Sequence, residues 1–400
     1  MTRRLFFALA AMGVAQAAVY IVRPTTSYRL LAYGEGARQV GLVAAAFALL
    51  PIFLAIPLGR MSDRRGPPLM LLGCSTQTLG CLLLTLASTT VTIAAASAVV
   101  GLGHLALALG AQDVIARESG SDHHDRHFGL LTAGVSIGQL AGPLVAGLAL
   151  GDTGVPSQSA TTKALLVAAG ILGLATACAA IAERDRRAAP ARATSRRGSV
   201  RAILGTRTVP AGIFASIAVL AAGDVFTAYM PVIGAESGIG TRTIGLLLAL
   251  RATASIAARI GIDPIVRRVG RTHLIALGAT AAAVGLAGIT FTEHVWALAL
   301  LSMLAGYGMG FGQPLSMTLV VQRVPDHARA TALAVRLTGN RIGQVATPAL
   351  GGVIAGSAGA SSVFWLLSGM LAASAVAVRR PSEAAQLRPE DEVVAERLVD

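Results

Sequence analysis

Charged side chains stand inside long apolar stretches of this sequence, where bulk water is not expected to reach them. A guanidinium in such a place can bind an anion or pair with a carboxylate, and a carboxylate can in addition carry a proton. At the centre of a membrane span a charge costs about 2.5–3.5 kcal/mol on insertion scales, so each one requires a partner or a polar cavity. The candidates, with one carboxamide beside them, are Arg23, Asp224, Arg251, Arg336, Asn340 and Arg341.

The last three of these residues fall within a single apolar stretch, 333–352. On a helix with 3.6 residues per turn, Arg336 and Asn340 are about 40° apart, whereas Arg341 is about 140° from Arg336. The two arginines of this stretch are therefore expected to serve different sites.

The composition indicates what kind of protein must position these charges. Hydrophobic residues make up 54% of the 400 residues and charged residues only 13%, whereas soluble domains are about 25% charged. The chain is therefore predicted to be an integral membrane protein. Its three cysteines (Cys74, Cys81 and Cys178) lie in apolar runs and are interpreted as buried apolar side chains, and no metal site is predicted.

Stretches of about 20 mostly apolar residues, long enough to span a bilayer, predict an all-α fold of twelve transmembrane helices in two groups of six. The predicted spans are 5–29, 39–58, 69–88, 91–115, 128–150, 162–182, 208–234, 242–262, 272–292, 294–320, 330–355 and 360–378. The predicted domains are a six-helix bundle at 1–182, a cytoplasmic linker at 183–207, a second bundle at 208–379 and a cytoplasmic tail at 380–400.

The arginines predict the orientation, because the cytoplasmic loops of membrane proteins carry an excess of Lys and Arg. If the N-terminus is cytoplasmic, most arginines, including eight in the linker, fall in cytoplasmic segments. Both termini are therefore predicted to lie on the cytoplasmic side of the cytoplasmic (inner) membrane. The net charge of +13 then follows from the topology, and no nucleic-acid partner is expected.

An internal repeat relates the two groups of helices. The sequence IGQLAGPLVAG at 137–147 matches IGQVATPALGG at 342–352, and Gly41 in the second span matches Gly245 in the eighth. A duplication of six helices with equal topology predicts two halves related by a pseudo-two-fold axis along the membrane normal.

With these features, the sequence resembles the major facilitator superfamily over essentially its whole length. The loop after the second span reads LGRMSDRRGPP, similar to the family signature G-x-L-A-D-R-x-G-R-K, and its second-half copy has Arg267 in place of the Asp. The residues on the key positions are Gly59, Asp63, Arg64 and Gly66. The resemblance implies that a small molecule binds near mid-membrane between two halves that rock around it.

The same loop would act as a switch at the cytoplasmic gate, because its contacts exist in one of the two states only. Asp63 is expected to face the positive N-terminal end of span 11. Arg64 is expected to pair with Asp113 or Glu118 at the end of span 4. Arg336 is expected beside Asp63 or with its head group at the membrane surface.

The fifth span carries small residues and a proline in a pattern that resembles the signature of antiporting exporters of the family. Its members are Gly138, Gly142, Pro143 and Gly147. Tight helix packing alone would explain the pattern equally well. The arginine that this subfamily often carries in the fourth span is absent, and Ser97 stands in its place.

Three interpretations of the intramembrane charges remain open. In one, Arg251 and Arg341 attract an anionic substrate and Asp224 orders one of them. In another, Asp224 is a protonatable coupling site and the substrate is hydrophobic or cationic. In the third, an Arg–Asp pair is purely structural.

The sequence thus predicts a secondary active transporter that works by alternating access, with proton-coupled efflux as the preferred mode. The alternatives are an organic-anion carrier and, from another class, a non-transporting membrane receptor. No enzymatic activity and no cofactor are expected, and the proton gradient is the expected energy source. ATP-driven transport is excluded, since the only lysine is Lys163 and no phosphate-binding loop ends in it. The partners are a small-molecule substrate and the lipid bilayer, and the chain is expected to be monomeric.

Overall fold

The computed structural model describes residues 2–63, 68–118, 124–184, 200–205, 208–260, 262–324 and 328–379. Within these ranges the chain is helical and contains no strand, as predicted. The helices are α1 (Arg3–Ala32), α2 (Ala37–Asp63), α3 (Leu69–Leu86), α4 (Thr90–Glu118), α5 (His124–Leu150), α6 (Gln158–Arg184), α7 (Val200–Gly205), α8 (Thr208–Glu236), α9 (Thr241–Arg259), α10 (Ile262–Val269), α11 (Arg271–Ile289), α12 (Val295–Gln322), α13 (Arg329–Ala358) and α14 (Ser361–Arg379).

The long helices correspond one to one with the predicted spans, and most ends lie within a few residues of prediction. Among the described residues, ten of these helices are long and apolar enough to cross a membrane. The two that fall short are α9 and α13, which carry three of the candidate charges. Both pack between the two halves, so their polar residues meet protein rather than lipid.

Small residues explain how neighbouring helices approach so closely. A Cβ atom on Gly103 of α4 would lie 2.6 Å from the carbonyl oxygen of Gly73 in α3, and one on Gly308 of α12 would lie 2.3 Å from that of Gly278 in α11. These two contacts are repeat equivalents. Glycine removes the side chain that would separate the backbones, and dispersion contacts then hold the helices together in lipid.

The helices form two bundles that pack against each other. In the first bundle α1 packs against α5 and α6, and α4 packs against α2 and α3. In the second, α8 packs against α12, α13 and α14, and α12 packs against α9 and α11. The bundles meet where α2 contacts α13, α5 contacts α9, and α1 contacts α8.

The predicted linker differs from expectation in one described piece. No helix was predicted within 183–207, yet 200–205 form the short helix α7. Ile203 is buried and packs in a cluster with Val209 of α8 and Val320 of α12. A single buried isoleucine does not form a periodic pattern from which a helix could be predicted. The rest of the linker and the tail lie outside the described residues, and the domain boundaries stay predictions.

Arg29 is the last residue of the first predicted span, where the helix was expected to end. Helix α1 continues beyond it, and the side chain is buried in the first bundle. Its guanidinium donates to the carbonyl oxygens of Thr85 (2.8 Å) and Ala87 (2.9 Å) and to the hydroxyls of Thr161 (3.2 Å) and Thr162 (3.0 Å). A cation satisfied in this way joins α1 to α3 and α6, and it is not part of a cavity.

Candidate substrate and coupling site

Two crossings hold the halves together, and the first involves α2 and α13. A Cβ atom on Gly41 would lie 2.5 Å from the Cα of Gly352 and 2.5 Å from the carbonyl oxygen of Pro348. Real Cβ atoms do not approach backbone so closely, so this crossing requires glycine.

The second crossing involves α5 and α9 and uses the repeat-related residues. A Cβ atom on Gly245 would lie 2.5 Å from the carbonyl oxygen of Pro143 and 3.3 Å from the Cα of Gly147. These two residues of the span-5 motif thus touch the opposite half. The other two pack within their own half, since Cβ atoms on Gly138 and Gly142 would lie 2.7 Å and 2.6 Å from the backbone of Ala17 in α1.

Both crossings lie toward the end of the molecule at which α1 ends and α2 begins, which we call the distal end. Here Tyr229 donates its phenolic hydrogen bond across the halves to the carbonyl oxygen of Ala37, at 2.9 Å. Thr241 donates its amide to the carbonyl oxygen of Thr153, at 3.1 Å, and its hydroxyl to that of Gly151. The distal end is therefore closed in this structure.

Asp224 of α8 lies directly inside this closure and joins the halves. Arg23 of α1 donates a charge-assisted hydrogen bond to Asp224 Oδ1. On the other side, Gln344 Nε2 donates to Asp224 Oδ2 at 2.6 Å, and Arg341 Nη1 donates to Gln344 Oε1 at 3.0 Å. We call these four residues the coupling network. It consists of two guanidinium groups and one carboxylate, connected through a carboxamide.

Aromatic rings of the first half hold Arg23 in place. Its guanidinium carbon lies 4.5 Å from the centre of the Phe47 ring and 5.8 Å from that of Tyr20. A cation over an aromatic face is attracted by the ring quadrupole, most strongly where water is excluded. Arg23 is thus held toward Asp224 from its own half, while the ion pair itself crosses between the halves.

The coupling network borders a small cavity under the distal closure. Its space for water is about 40 Å³, which suits a few water molecules but not a ligand that needs a pocket of roughly 300–1,000 Å³. Ser97, at the place of the family's span-4 arginine, also borders it. The polar residues around it are Arg23, Thr26, Ser27, Ser97, Asp224 and Gln344.

Arg336 and Asn340 occupy a separate polar cluster inside the second half. Arg336 Nη2 donates to Gln313 Oε1 at 2.7 Å and to the hydroxyl of Ser316 at 3.3 Å. Asn340 Oδ1 accepts from the hydroxyl of Ser216 at 2.9 Å. Arg336 is 5% exposed, so its head group does not reach the membrane surface as one expectation had it. It bonds to α12 instead.

The predicted gate falls largely outside the described residues. Arg64 and Gly66 lie there, as does the side chain of Asp63, while the backbone of Gly59 belongs to helix α2. Asp113 accepts from Arg117 one turn later at 2.8 Å, and Glu118 accepts from Arg4 at 2.9 Å. The expected pairing of Arg64 with Asp113 or Glu118 stays a prediction.

Two members of the site were not singled out from the sequence. Gln344 was noted only as a matching position of the repeat, and Phe47 was not noted at all. One signal for Gln344 was available: it follows Arg341 by three residues, which puts both side chains on one helix face. No comparable signal existed for Phe47, because only the fold brings it to Arg23.

Comparisons with known proteins agree with this architecture. The model of the Major Facilitator Superfamily matches residues 5–240 and 212–398. The tetracycline resistance protein, class C, of Escherichia coli is 28% identical over 297 residues, which are 72% of this chain and 73% of that protein. The multi-drug resistance efflux pump PmrA of Streptococcus pneumoniae is 26% identical over 152 residues, 37% of this chain and 38% of that protein.

Solved structures show the same fold at low identity. A POT family transporter in complex with 5-aminolevulinic acid superimposes with a TM-score of 0.75 and 13% identity, covering 100% of this chain and 97% of that one. The nucleoside transporter NupG gives a TM-score of 0.69 and 14% identity, covering 94% and 98%. From the family model, the repeat and the fold together, we conclude that this chain belongs to the Major Facilitator Superfamily.

Proposed function

We propose that this transporter exports small molecules in exchange for protons, and that Asp224 is the proton-carrying group. The observation that carries this proposal is the ion pair between Arg23 and Asp224, because its two members belong to different halves. The similarity to the tetracycline resistance protein and to a multidrug efflux pump supports export.

The coupling follows from what this ion pair does in each state. When Asp224 is ionised, it binds Arg23 and Gln344 and thereby favours the state with a closed distal end. If the halves separate at that end, the pair is broken and the carboxylate meets water, where it can accept a proton. Once the distal end has closed again, Asp224 can release the proton toward the opposite side and re-form its ion pair with Arg23.

The predicted orientation assigns a direction to this cycle. The distal end faces away from the cytoplasm if the N-terminus is cytoplasmic. The proton then enters from outside and leaves inside, and the substrate moves in the opposite sense. Binding of substrate near the network would weaken the Arg23–Asp224 pair and permit the distal end to open.

Asp224→Asn tests this proposal, because asparagine has the same shape but cannot carry the proton. In proteoliposomes with an imposed proton gradient, we expect gradient-driven transport of tetracycline to fall by about a hundredfold, the scale of a lost proton-transfer group. Exchange of labelled for unlabelled probe without a gradient should persist, since it requires no proton. Glu293→Gln, which changes an exposed carboxylate at the distal end, should leave both activities unchanged.

A second variant separates coupling from folding. Asp224→Asn leaves two arginines without their carboxylate, and loss of a buried partner costs about 3–5 kcal/mol. Combining it with Arg23→Gln should recover much of the thermal stability but none of the gradient-driven transport. Full gradient-driven transport by a folded Asp224→Asn protein would refute the role of Asp224.

A further inference from the structure

Among the residues that the structure describes, Arg251 differs from Arg23, Arg336 and Arg341 in having no anionic or hydrogen-bonding partner. Its guanidinium carbon instead lies 5.5 Å from the centre of the Phe226 ring. Arg251 is 6% exposed, and its Nε is buried without a hydrogen-bond partner. Arg23, Arg336 and Arg341 each donate to at least one oxygen.

Such an arrangement is unfavourable for the protein without a ligand. A buried cation loses its hydration, and an aromatic face replaces only part of that interaction. Phe226 is fully buried and packs edge-on against Phe364, at 6.1 Å between ring centres. It therefore forms a fixed wall beside the guanidinium, whose N–H groups make no hydrogen bond to a described residue.

A second arginine of the same helix extends this cationic surface. Arg259 follows Arg251 by eight residues on α9, about 80° around the helix axis. Its Nε is likewise buried and makes no hydrogen bond to a described residue. Arg259 lies within electrostatic range of Arg251 and also of the phenol of Tyr20 on α1. The pair thus borders the contact between the halves, where Tyr20 also neighbours Arg23.

We propose that Arg251 and Arg259 form a subsite for the anionic group of the transported molecule, a carboxylate or a phosphate attached to an apolar body. This inference rests on the proposed transport function and names the chemical class of its substrate. A planar guanidinium offers parallel N–H donors that match two oxygens of such a group. The fixed Phe226 ring beside it favours an apolar or aromatic body next to the anion.

The subsite and the coupling network consist of different residues. Asp224 is already bound by Arg23 and Gln344, and it makes no ion pair with Arg251 among the described residues. The anionic group therefore binds to arginines that the coupling network does not use. Through Gln344, Asp224 orders Arg341 and not Arg251. The two arginines, which one interpretation of the sequence grouped as a single anion site, therefore have different roles.

Thermal unfolding of the purified full chain in detergent tests the subsite without any gradient. The probes are 1-naphthoate, 1-naphthyl phosphate and the uncharged 1-naphthamide at millimolar concentration, each with sodium chloride to equal ionic strength. A ligand that binds only the folded protein raises the midpoint with concentration. We expect at least one anion to raise the midpoint and the amide to have no effect. Comparing the shifts with the two anions tells whether the subsite prefers a carboxylate or a phosphate.

Arg251→Met is the decisive variant, since it keeps the unbranched stem and removes the charge. We expect its midpoint without ligand to equal or exceed that of the parent, and its apparent affinity for the anion to fall by about tenfold or more, the effect of 1.4 kcal/mol. Arg259→Gln should lower the apparent affinity for the anion as well. Arg242→Gln, which removes an exposed arginine from the start of the same helix, should change nothing.

Three results would overturn the subsite: no midpoint shift with either anion, equal shifts with the amide, or an unchanged affinity in Arg251→Met. A large fall in midpoint of Arg251→Met without ligand would also overturn it, because the arginine would then be a structural residue. Failure of the proposed function is a different result. Anions would still shift the midpoint through Arg251, but transport would not respond to the proton gradient.

Discussion

Helices α5 and α13 are copies of one another, and they differ in one respect that bears on function. Each carries the frame IGQ followed by a proline, and each crosses to the opposite half through a proline carbonyl and a glycine. To the coupling network, α13 contributes the charge of Arg341 where α5 has Ser136. Gln344 of α13 binds Asp224, whereas no hydrogen bond from its copy Gln139 belongs to the described network.

The difference indicates that the helix crossings and the coupling network depend on different residues of these helices. The crossing depends on backbone approach, so both copies must keep the same small residues and the same proline. The coupling network needs only one carboxylate, so a single copy can supply its partners. Variants at matched positions of the two helices can therefore separate the shared scaffold from the chemistry of one half.

The largest effect is expected where the shared crossing is broken. In Gly41→Ala the new Cβ atom would meet backbone of α13 at 2.5 Å, so the closed distal end must separate. An overpacked contact costs about 1–3 kcal/mol or more, which reduces the closed population by up to roughly a hundredfold. Transport should fall accordingly, and Gly245→Ala at the other crossing should act in the same direction.

Cysteine labelling measures this opening directly. Ala228 borders the cavity and is 6% exposed, so Ala228→Cys in a chain without its natural cysteines should be protected from a membrane-impermeant maleimide. Gly41→Ala should remove that protection. Gly170→Ala on α6, where a Cβ atom would meet nothing within 4 Å, is the matched control. Equal labelling of all three proteins would contradict a role of the crossing in closure.

A smaller effect is expected where the two copies differ. Gln344→Ala removes the hydrogen bond to Asp224 Oδ2 and the link to Arg341. A hydrogen bond to a charged group contributes about 1.5–3 kcal/mol, so gradient-driven transport should fall by roughly tenfold or more. Gln139→Ala at the matched position of α5 should stay within about twofold of the parent. Equal losses in both variants would mean that the glutamines serve the crossing, not the network.

The smallest effect on transport is expected at Arg336, which lies on α13 but bonds only within the second half among the described residues. Arg336→Met loses the hydrogen bonds to Gln313 and Ser316, and such a loss lowers the free energy of unfolding by about 1–3 kcal/mol. The thermal midpoint should fall, while transport per folded molecule should change little. The opposite outcome, a stable protein with lost transport, would support the predicted role of Arg336 at the cytoplasmic gate.

Much of the fold could be predicted because the membrane makes the local pattern decisive. An apolar run of sufficient length must be a helix in lipid, since no water is present to satisfy its backbone. The predicted spans therefore match the long helices, even for α9 and α13 with their arginines. Small departures occur where the bilayer does not constrain the chain, as in α7, or where a helix runs past its apolar core, as at Arg29.

The candidate charges could be predicted as a set, but their partners could not. Arg341 and Arg251 were grouped as one anion site, and the fold separates them because Gln344 connects Arg341 to Asp224. In one of the three interpretations Asp224 orders one of those two arginines, whereas in the structure it directly binds Arg23, from a helix about 200 residues earlier in the chain. Pairing across the halves depends on which faces meet at the interface, and hydropathy contains no information on that.

By itself, then, the sequence determined the helical membrane fold, the duplication and the presence of uncompensated charges. These properties are local or periodic, and the bilayer translates them directly into structure. Only the tertiary structure decided that Asp224 joins the two halves, that Arg336 belongs to packing, and that Arg251 has no oxygen partner among the described residues. Each of these depends on side chains that are distant in the chain and meet because glycines at Gly41 and Gly245 permit the halves to approach.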